Sequence, residues 1–307
     1  MKMELLRSIK LPFSSCQIAV AAVARLIAVN CKRDIYVLEN SGKEISHWVI
    51  PGNTRLGKIE FNPTGTHIVF ATEDEICLYH TYGKVRGSRK HTRWGLDSFG
   101  HCQFSPDGRY LWAVCPGGDP GNPIVCILDT NNLGIIAESP LEIGEECHFG
   151  FHFHPDGKTV FLEAGAGQDG IWTYCCTFAK GCLSVKHLPD LDWQPVYAIH
   201  PTGKEILTGS LMDGCMQRRS YPSRKVLVEV EEEYCFVSSD PIYLDPDRIL
   251  LLTGGDEIYL LDSVSLEIED RLEVKTDNDF MDIRLLDEIL ITSHRMNRVI
   301  RIWACPR

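Results

Sequence analysis

The sequence predicts an all-β fold, a ring of seven four-stranded antiparallel sheets known as a seven-bladed β-propeller. Three observations predict it. A short phrase recurs with its prolines at positions 63, 106, 155, 201 and 246, which gives spacings of 43, 49, 46 and 45 residues. Each phrase is accompanied by strand-like apolar segments. The chain also begins with a segment that reads as the missing last strand of its final repeat. Periods of this length are typical of propeller blades.

The recurring phrase predicts a tight turn. Its full copies are "FNPTG" (61–65), "FSPDG" (104–108), "FHPDG" (153–157) and "IHPTG" (199–203), and a fifth copy, "LDPDR" (244–248), lacks the glycine. Proline fixes φ, and the Asp-Gly or Thr-Gly pair suits the turn that follows. We therefore expect each phrase to join the first and second strands of one blade.

The segments that follow each phrase supply the other strands. In one repeat these are "RYLWAVC", "IVCILDT" and "GIIAESPLE", which predict the second, third and fourth strands. Two copies without the proline, at 16–40 and 281–304, bring the number of blades to seven. The last blade ends on its third strand, and "MELLRSIKLP" (3–12) supplies the fourth. Pairing the first strand with the last blade would close the ring and cover an open sheet edge. We predict a single domain over 1–307.

Composition limits the classes of function. The chain has 307 residues, 44% of them hydrophobic, and a formal net charge of −11. This charge disfavours nucleic acid as a partner. The apolar stretch at 17–29 is too short to span a bilayer and contains Arg25, so we expect neither a membrane segment nor a signal peptide. The thirteen cysteines are an odd number and form no CxxC pair, and many sit in apolar runs. This usage predicts a reducing, cytoplasmic location.

The turn phrases, together with the third-strand endings "YVLEN", "CILDT", "YLLDS" and "RIWAC", resemble those of WD-repeat and YVTN-type propellers over nearly the whole chain. No third strand ends in Trp-Asp, and Gly-His occurs only at Gly100-His101, so the resemblance does not extend to the hydrogen-bonded tetrad of typical WD repeats. It implies a non-catalytic scaffold for protein–protein interaction, which is an inference from fold.

The loops opposite the proline turns are the predicted binding surface. They surround the mouth of the central channel, and we call them the upper rim. They are rich in Asp and Glu with interleaved aromatic residues, a pattern that favours a basic peptide or protein partner. Asp, Asn and Gly are also ordinary turn residues. The predicted partner-binding residues are His101, Glu146, His148, Asp192, Trp193, Asp240, Phe280 and Arg295.

The stretch "CHFGFHFHPDG" (147–157) concentrates three histidines in one place. His152 and His154 share a strand face and could ligate zinc. Comparison of the repeats instead predicts that His154 caps the turn and that His152 fills a variable position. His101, Cys102, Cys147 and His148 come from equivalent loops and match a zinc set by type, although neighbouring residues of a strand face opposite ways. We expect no metal and no cofactor, and we retain His148 as the functional candidate.

Two alternatives remain open. The stretch at 147–174 resembles a blade of phosphogluconolactonase-type propellers, which implies a lactonase-like hydrolase at the channel mouth with His148 as its base. It departs from that pattern at Gly150 and Gly170, which replace a histidine and an arginine. Motifs for nucleophilic catalysis, phosphate loops and HExxH zinc sites are missing, so the prediction leans away from an enzyme. The second alternative is a structural subunit that binds through outer blade edges, where "KVRGSRKHTRW" (84–94) is basic.

Overall fold

A computed structural model describes residues 4–11, 17–51, 56–72, 75–90, 101–115, 123–143, 148–165, 170–210, 214–231, 240–253, 257–272, 280–294 and 298–305. Within these ranges the regular elements are strands and a single 3₁₀ turn at Pro189–Leu191. No helix in this part of the chain has the length and apolar character needed to cross a membrane.

The strands are short and follow one another at the spacing that the repeats predict. Their bounds are β1 (Leu5–Lys10), β2 (Gln17–Ala21), β3 (Leu26–Cys31), β4 (Asp34–Glu39), β5 (Glu44–Val49), β6 (Ile59–Phe61), β7 (His67–Ala71), β8 (Glu75–His80), β9 (Val85–Lys90), β10 (His101–Phe104), β11 (Tyr110–Cys115), β12 (Ile124–Asp129), β13 (Ile135–Pro140), β14 (His148–Phe153), β15 (Thr159–Gly165), β16 (Ile171–Ala179), β17 (Cys182–His187), β18 (Val196–Ile199), β19 (Glu205–Ser210), β20 (Cys215–Ser220), β21 (Val226–Glu231), β22 (Ile242–Asp245), β23 (Arg248–Leu252), β24 (Ile258–Asp262), β25 (Ile268–Leu272), β26 (Phe280–Leu286), β27 (Ile289–His294) and β28 (Val299–Ala304).

These strands form seven four-stranded antiparallel sheets, which confirms the predicted seven-bladed propeller. Blade one is β2–β5, and each following group of four strands is the next blade. Blade seven consists of β26, β27 and β28, with β1 as its outer strand. In this pairing Ile9 lies opposite Ile300 and Lys10 opposite Val299. The N-terminal strand therefore closes the ring, as the sequence predicted.

Apolar side chains pack between neighbouring blades. Each of the seven blade-to-blade interfaces contains its own cluster of buried residues. Between blades three and four, Trp112 packs edge-on against Phe151 and Phe153, with ring centroids 6.1 Å apart in each case. The packing is continuous around the ring, because the cluster between blades seven and one joins Ile291 and Ile300 to Ile18. Burial of this apolar surface is the main force that holds the blades together.

The proline phrases form the predicted turns between first and second strands. The phrase glycine has a positive φ in all four full copies, near +70° at Gly65, Gly108, Gly157 and Gly203. A side chain is strained in this region of backbone space, which explains why glycine recurs there. The turns lie at the ring face opposite the upper rim, and we call this face the lower rim.

Histidines before the proline join consecutive turns of the lower rim. His154 Nε2 donates to the carbonyl oxygen of Gly203 in the next blade at 2.7 Å, and its Nδ1 accepts from the Asp156 amide at 3.1 Å. His200 repeats the arrangement with the carbonyl oxygen of Pro246 at 2.9 Å and the Thr202 amide at 3.1 Å. The interpretation of His154 as a turn cap is confirmed, and the structure adds a bond between blades.

Blade seven contains a buried polar chain inside its sheet. Trp303 Nε1 donates to Thr292 Oγ1 at 3.0 Å, and that hydroxyl lies 3.0 Å from His294 Nε2. Thr292 and His294 have no solvent exposure, and Trp303 is 7% exposed. The bond from Trp303 crosses from β28 to β27, so this polar chain supports the blade that the two ends of the protein complete.

Residues 85–90 of the basic stretch of blade two form its outer strand, β9, as predicted, and residues 91–94 lie outside the described residues. Arg86 donates to Asn131 Oδ1 of blade three at 2.9 Å and lies 2.8 Å from His67 Nε2. Arg89 donates to the carbonyl oxygen of Leu133 at 3.2 Å. Part of the positive charge therefore links blades two and three.

Candidate functional site

A cavity of about 380 Å³ lies at the mouth of the central channel, among residues of the innermost strands and the loops before them. We call it the channel-mouth cavity. Its lining residues come from blades one, two, three, four and six, and they are Gln17, Leu56, Gly57, Lys58, His101, His148, Phe149, Gly150, Phe151, His152, Glu163 and Asp240. The cavity thus combines histidines, two acids, a lysine and an apolar border.

The alternation of strand β14 explains how blade four supplies so many of these residues. Successive side chains of a strand point to opposite faces. Phe151 packs into the cluster between blades three and four, with Phe149 and Phe153 against it. His148 and His152 are four residues apart and both line the cavity. That His152 fills a variable position among the repeats stays a prediction, and the structure adds that this residue lines the cavity.

His152 forms an ion pair with Glu163. Its Nε2 lies 3.5 Å from Glu163 Oε2, and both side chains are largely buried. Glu163 stands opposite Gly150 in the pairing of β14 with β15, so it is a diagonal neighbour of His152. Burial lowers the pKa of His152, but the charge and hydrogen bond of Glu163 outweigh it and raise the pKa above the usual range. Burial raises the pKa of Glu163, and the attraction of His152 offsets only part of that rise.

His101 is the buried neutral histidine of the cavity. It is 8% exposed, and its ring lies 5.3 Å from that of Phe151. Burial, and then the positive charge of Lys58, lower its pKa to about 3, so the imidazole is uncharged near neutral pH. Its Nε2 is buried and no described residue meets hydrogen-bond geometry with it, although the nearby Gln103 side chain acts on the ring and opposes part of the fall in its pKa. A buried polar atom without a partner costs free energy, so it marks a position where a ligand atom would be favourable.

Asp240 lies where the chain enters blade six. Its surface is exposed to solvent, although protein charges crowd around it. Burial by itself would raise its pKa, but the positive charges of His152, Lys58 and Arg284 outweigh this effect and lower it. Within the described ranges its carboxylate accepts no hydrogen bond and makes no ion pair. It is therefore a negative charge that faces the channel without a bonded partner there.

Two further ion pairs lie on the inner strands. Lys58 Nζ lies 3.5 Å from Glu60 Oε1 of blade two. Arg284 Nη1 lies 2.9 Å from Asp282 Oδ1 of blade seven, and the other oxygen of Asp282 accepts the Ile18 amide at 3.0 Å. Lys58 and Arg284 therefore both have acidic partners. The bond to Ile18 also ties blade seven to blade one across the ring closure.

The structure places the eight predicted partner-binding residues in different settings. His101, His148 and Asp240 all line the channel-mouth cavity, so equivalent loops of blades three and four bring His101 and His148 to the same place. Phe280 begins β26. Glu146 and Arg295 lie outside the described residues.

Asp192 and Trp193 lie apart from the cavity, on the connection between blades four and five. Asp192 Oδ1 is 2.8 Å from His187 Nε2 at the end of the outer strand β17. Trp193 is 44% exposed, and its backbone amide donates to the carbonyl oxygen of Ile171 at 2.9 Å. Its ring lies over Gly170, where a Cβ atom would come within 3.1 Å of the indole. The structure therefore separates these two residues from the histidines of the channel.

The possible zinc set does not assemble among the described residues. No group of three or more His, Cys, Asp and Glu side chains in these ranges is arranged to hold a metal ion. Cys102 packs into the apolar cluster between blades two and three, whereas its neighbour His101 lines the cavity. Cys147 lies outside the described residues. Burial raises the pKa of the Cys102 thiol well above its usual range, which disfavours the thiolate that zinc requires.

Comparison with known proteins supports the fold and goes no further. No protein-family model matches the chain, and no curated protein matches it in sequence. The chain is similar to one in the crystal structure of the Mitotic Checkpoint Complex, with a TM-score of 0.75 and 14% identity over 99% of this chain and 92% of that one. At this identity the likeness shows a shared propeller fold. The closer resemblance to WD-repeat or YVTN-type propellers stays a prediction.

Proposed function

We propose that this protein is a non-catalytic platform for protein–protein interaction that binds a partner polypeptide at the channel mouth on its upper rim. The observation that carries the proposal is the channel-mouth cavity, where the buried His101 Nε2 makes no hydrogen bond to a described residue. The exposed Asp240 carboxylate at the same cavity has neither a hydrogen bond nor an ion pair within the described ranges. Buried polar atoms are usually satisfied, so unsatisfied ones at a surface cavity favour a bound partner. The similar chain belongs to a multiprotein complex, which is consistent with this role.

Charge reversal at the cavity tests the proposal. Asp240→Lys adds a positive charge beside His152 and Lys58. The affinity for a partner recognised at this site should therefore fall at least about tenfold, which is about 1.4 kcal/mol of binding free energy. The measurement is quantitative mass spectrometry of proteins captured by tagged wild type and variant. Asp192→Lys asks whether the interface extends to the connection between blades four and five.

The matched control is Asp247→Lys, which makes the same charge change on an exposed lower-rim turn. Thermal unfolding of each variant establishes that the ring is intact. The proposal requires a specific partner that the control retains and Asp240→Lys loses. If every partner of the wild type survives both upper-rim substitutions, the binding face lies elsewhere, and the outer blade edges become the leading alternative.

A hydrolase acting at the same cavity is the second candidate. Active-site groups commonly have perturbed pKa values, and the cavity contains three such groups, His101, His152 and Glu163. His148, the base implied by the lactonase resemblance, lies in the same lining. Proton release during opening of simple lactones measures the activity. A hydrolase should lose at least about a hundredfold in rate in His148→Asn, the range that general-base catalysis supplies. No turnover by the wild type would dismiss this candidate.

A further inference from the structure

The polar atoms that lack partners in the channel-mouth cavity are atoms that can accept hydrogen bonds. Glu163 uses Oε2 to pair with His152, and the Val196 amide also acts on this carboxylate. Its Oε1 is buried and meets hydrogen-bond geometry with no described residue. Asp240 is an acceptor-only carboxylate at ordinary pH. Neutral His101 can present Nε2 as an acceptor when its proton resides on Nδ1. A ligand that satisfies these atoms must bring several N–H or O–H donors.

The charges of the cavity point to a cation. Lys58 already pairs with Glu60, and His152 pairs with Glu163. Asp240 makes no direct ion pair with any described residue, although the positive charges of His152, Lys58 and Arg284 act on it from nearby. Its carboxylate therefore remains available to a ligand cation. His101 provides an observation independent of the acids, since it is more than nine-tenths buried and its Nε2 is unpartnered at the same cavity.

We propose that the channel-mouth cavity binds the guanidinium group of one arginine side chain of the partner polypeptide. Guanidinium carries five N–H donors in a rigid plane, whereas the lysine ammonium is a compact point charge with three. The acceptors belong to blades three, four and six, so a ligand with donors that diverge in one plane suits them better. A volume of about 380 Å³ is at the small end of ligand pockets and fits a single side chain.

The apolar border of the cavity supports this choice of ligand. Leu56, Phe149 and Phe151 line the cavity beside the polar groups. An arginine side chain combines an apolar stem with a planar head that stacks on aromatic rings. The apolar border of the cavity would contact the stem of the arginine, and its polar groups would bind the guanidinium head. The inference rests on the proposed function, because it names the residue by which the partner would be recognised.

The direct test uses N-acetyl-arginine-methylamide as a probe and its citrulline counterpart as a neutral control of nearly equal shape. Histidine ring signals of the full-length protein are followed by NMR during titration. We expect saturable shifts at His101 and His152 with a dissociation constant on the order of 1–10 mM, which a few hydrogen bonds and one ion pair supply. The citrulline probe should bind at least tenfold more weakly. The corresponding lysine compound, N-acetyl-lysine-methylamide, should bind with an affinity between those of the arginine and citrulline probes.

Two variants are expected to act in opposite directions. Asp240→Asn should weaken binding of the arginine probe at least tenfold, because it removes the counter-charge without changing side-chain size. Lys58→Met should strengthen binding several-fold, because it removes a like charge and releases Glu60. Asp247→Asn on the lower rim is the matched control and should leave the affinity unchanged. Thermal unfolding verifies each fold, and the gain in Lys58→Met cannot come from loss of structure.

Equal binding of the arginine and citrulline probes would overturn the inference, as would shifts confined to His154 and His200. Lysine binding as tight as arginine binding would overturn the choice of guanidinium. The proposed function is tested separately by partner capture. If partners are lost in Asp240→Lys while the arginine probe never binds, the platform stands and the ligand assignment fails. If the probe binds and no partner depends on Asp240, the cavity serves a small guanidinium compound, and the proposal of a partner arginine fails.

Discussion

Histidines serve different purposes on the two rims of this propeller. Strand β14 runs from the upper rim to the lower rim. On the lower rim His154 uses both ring nitrogens, one toward Gly203 of the next blade and one toward Asp156 of its own turn. At the channel mouth His101 is equally buried, yet its Nε2 has no partner among the described residues. Burial alone therefore does not distinguish a structural histidine from a candidate binding residue. Satisfaction of its hydrogen-bonding atoms does.

The largest expected effect concerns His101 and acid. Its pKa in the folded protein is lowered from 6.5 to about 3, so the unfolded chain takes up this proton first as pH falls. Stability is therefore lost between pH 6.5 and about 3, by an amount on the order of 3 kcal/mol at about pH 4. His101→Gln lacks the titration, so its free energy of unfolding should fall less over this interval. Urea unfolding at several pH values measures both profiles, and parallel profiles would contradict the lowered pKa.

The next effect separates the two bridging histidines of the lower rim. His154→Ala leaves the buried Gly203 carbonyl and the part-buried Asp156 amide without their partner, which should cost about 2 kcal/mol of unfolding free energy. His200→Ala removes the same pair of bonds at a more exposed position and should cost about half as much, since water can replace the lost partner. Urea unfolding followed by tryptophan fluorescence compares the two variants. Equal losses would mean that burial is not what makes His154 more important.

The sequence predicts the fold far better than the site. A tight turn requires particular residue types at consecutive positions, and the Pro-Asp-Gly and Pro-Thr-Gly phrases supply them at a regular spacing along the chain. The channel-mouth cavity has no such local signature. It depends on which first-strand residues from five different blades reach the same channel, and the connections that set those positions vary in length.

The His152–Glu163 pair shows which signal was missed. Glu163 is an acid within the apolar run "TVFLEAG" of a second strand, where a charge needs a partner. Two-residue alternation along β14 places His152 on the same side as His148, and the pairing of β14 with β15 brings Glu163 diagonal to it. These two observations together predict the ion pair. Neither predicts that Asp240, almost eighty residues later, faces the same cavity.

The smallest expected effect concerns the His152–Glu163 ion pair. It tests whether this pair stabilises the fold, as the hydrogen bonds of His154 do. The folded-state pKa of His152 lies above 6.5, so its stabilisation is complete below about pH 6.5 and is lost as pH rises through the folded value. Glu163→Gln should therefore cost about 1 kcal/mol at about pH 6 and less at about pH 9, because His152 loses its positive charge as pH rises through its folded pKa. Glu142→Gln is the matched control, since Glu142 is an exposed acid on a connecting segment. A cost for Glu163→Gln that is the same at both pH values would show that the pair acts through packing or neutral hydrogen bonds. Glu163 would then be a structural residue like His154, and only Asp240 and His101 would remain as candidate ligand-binding residues.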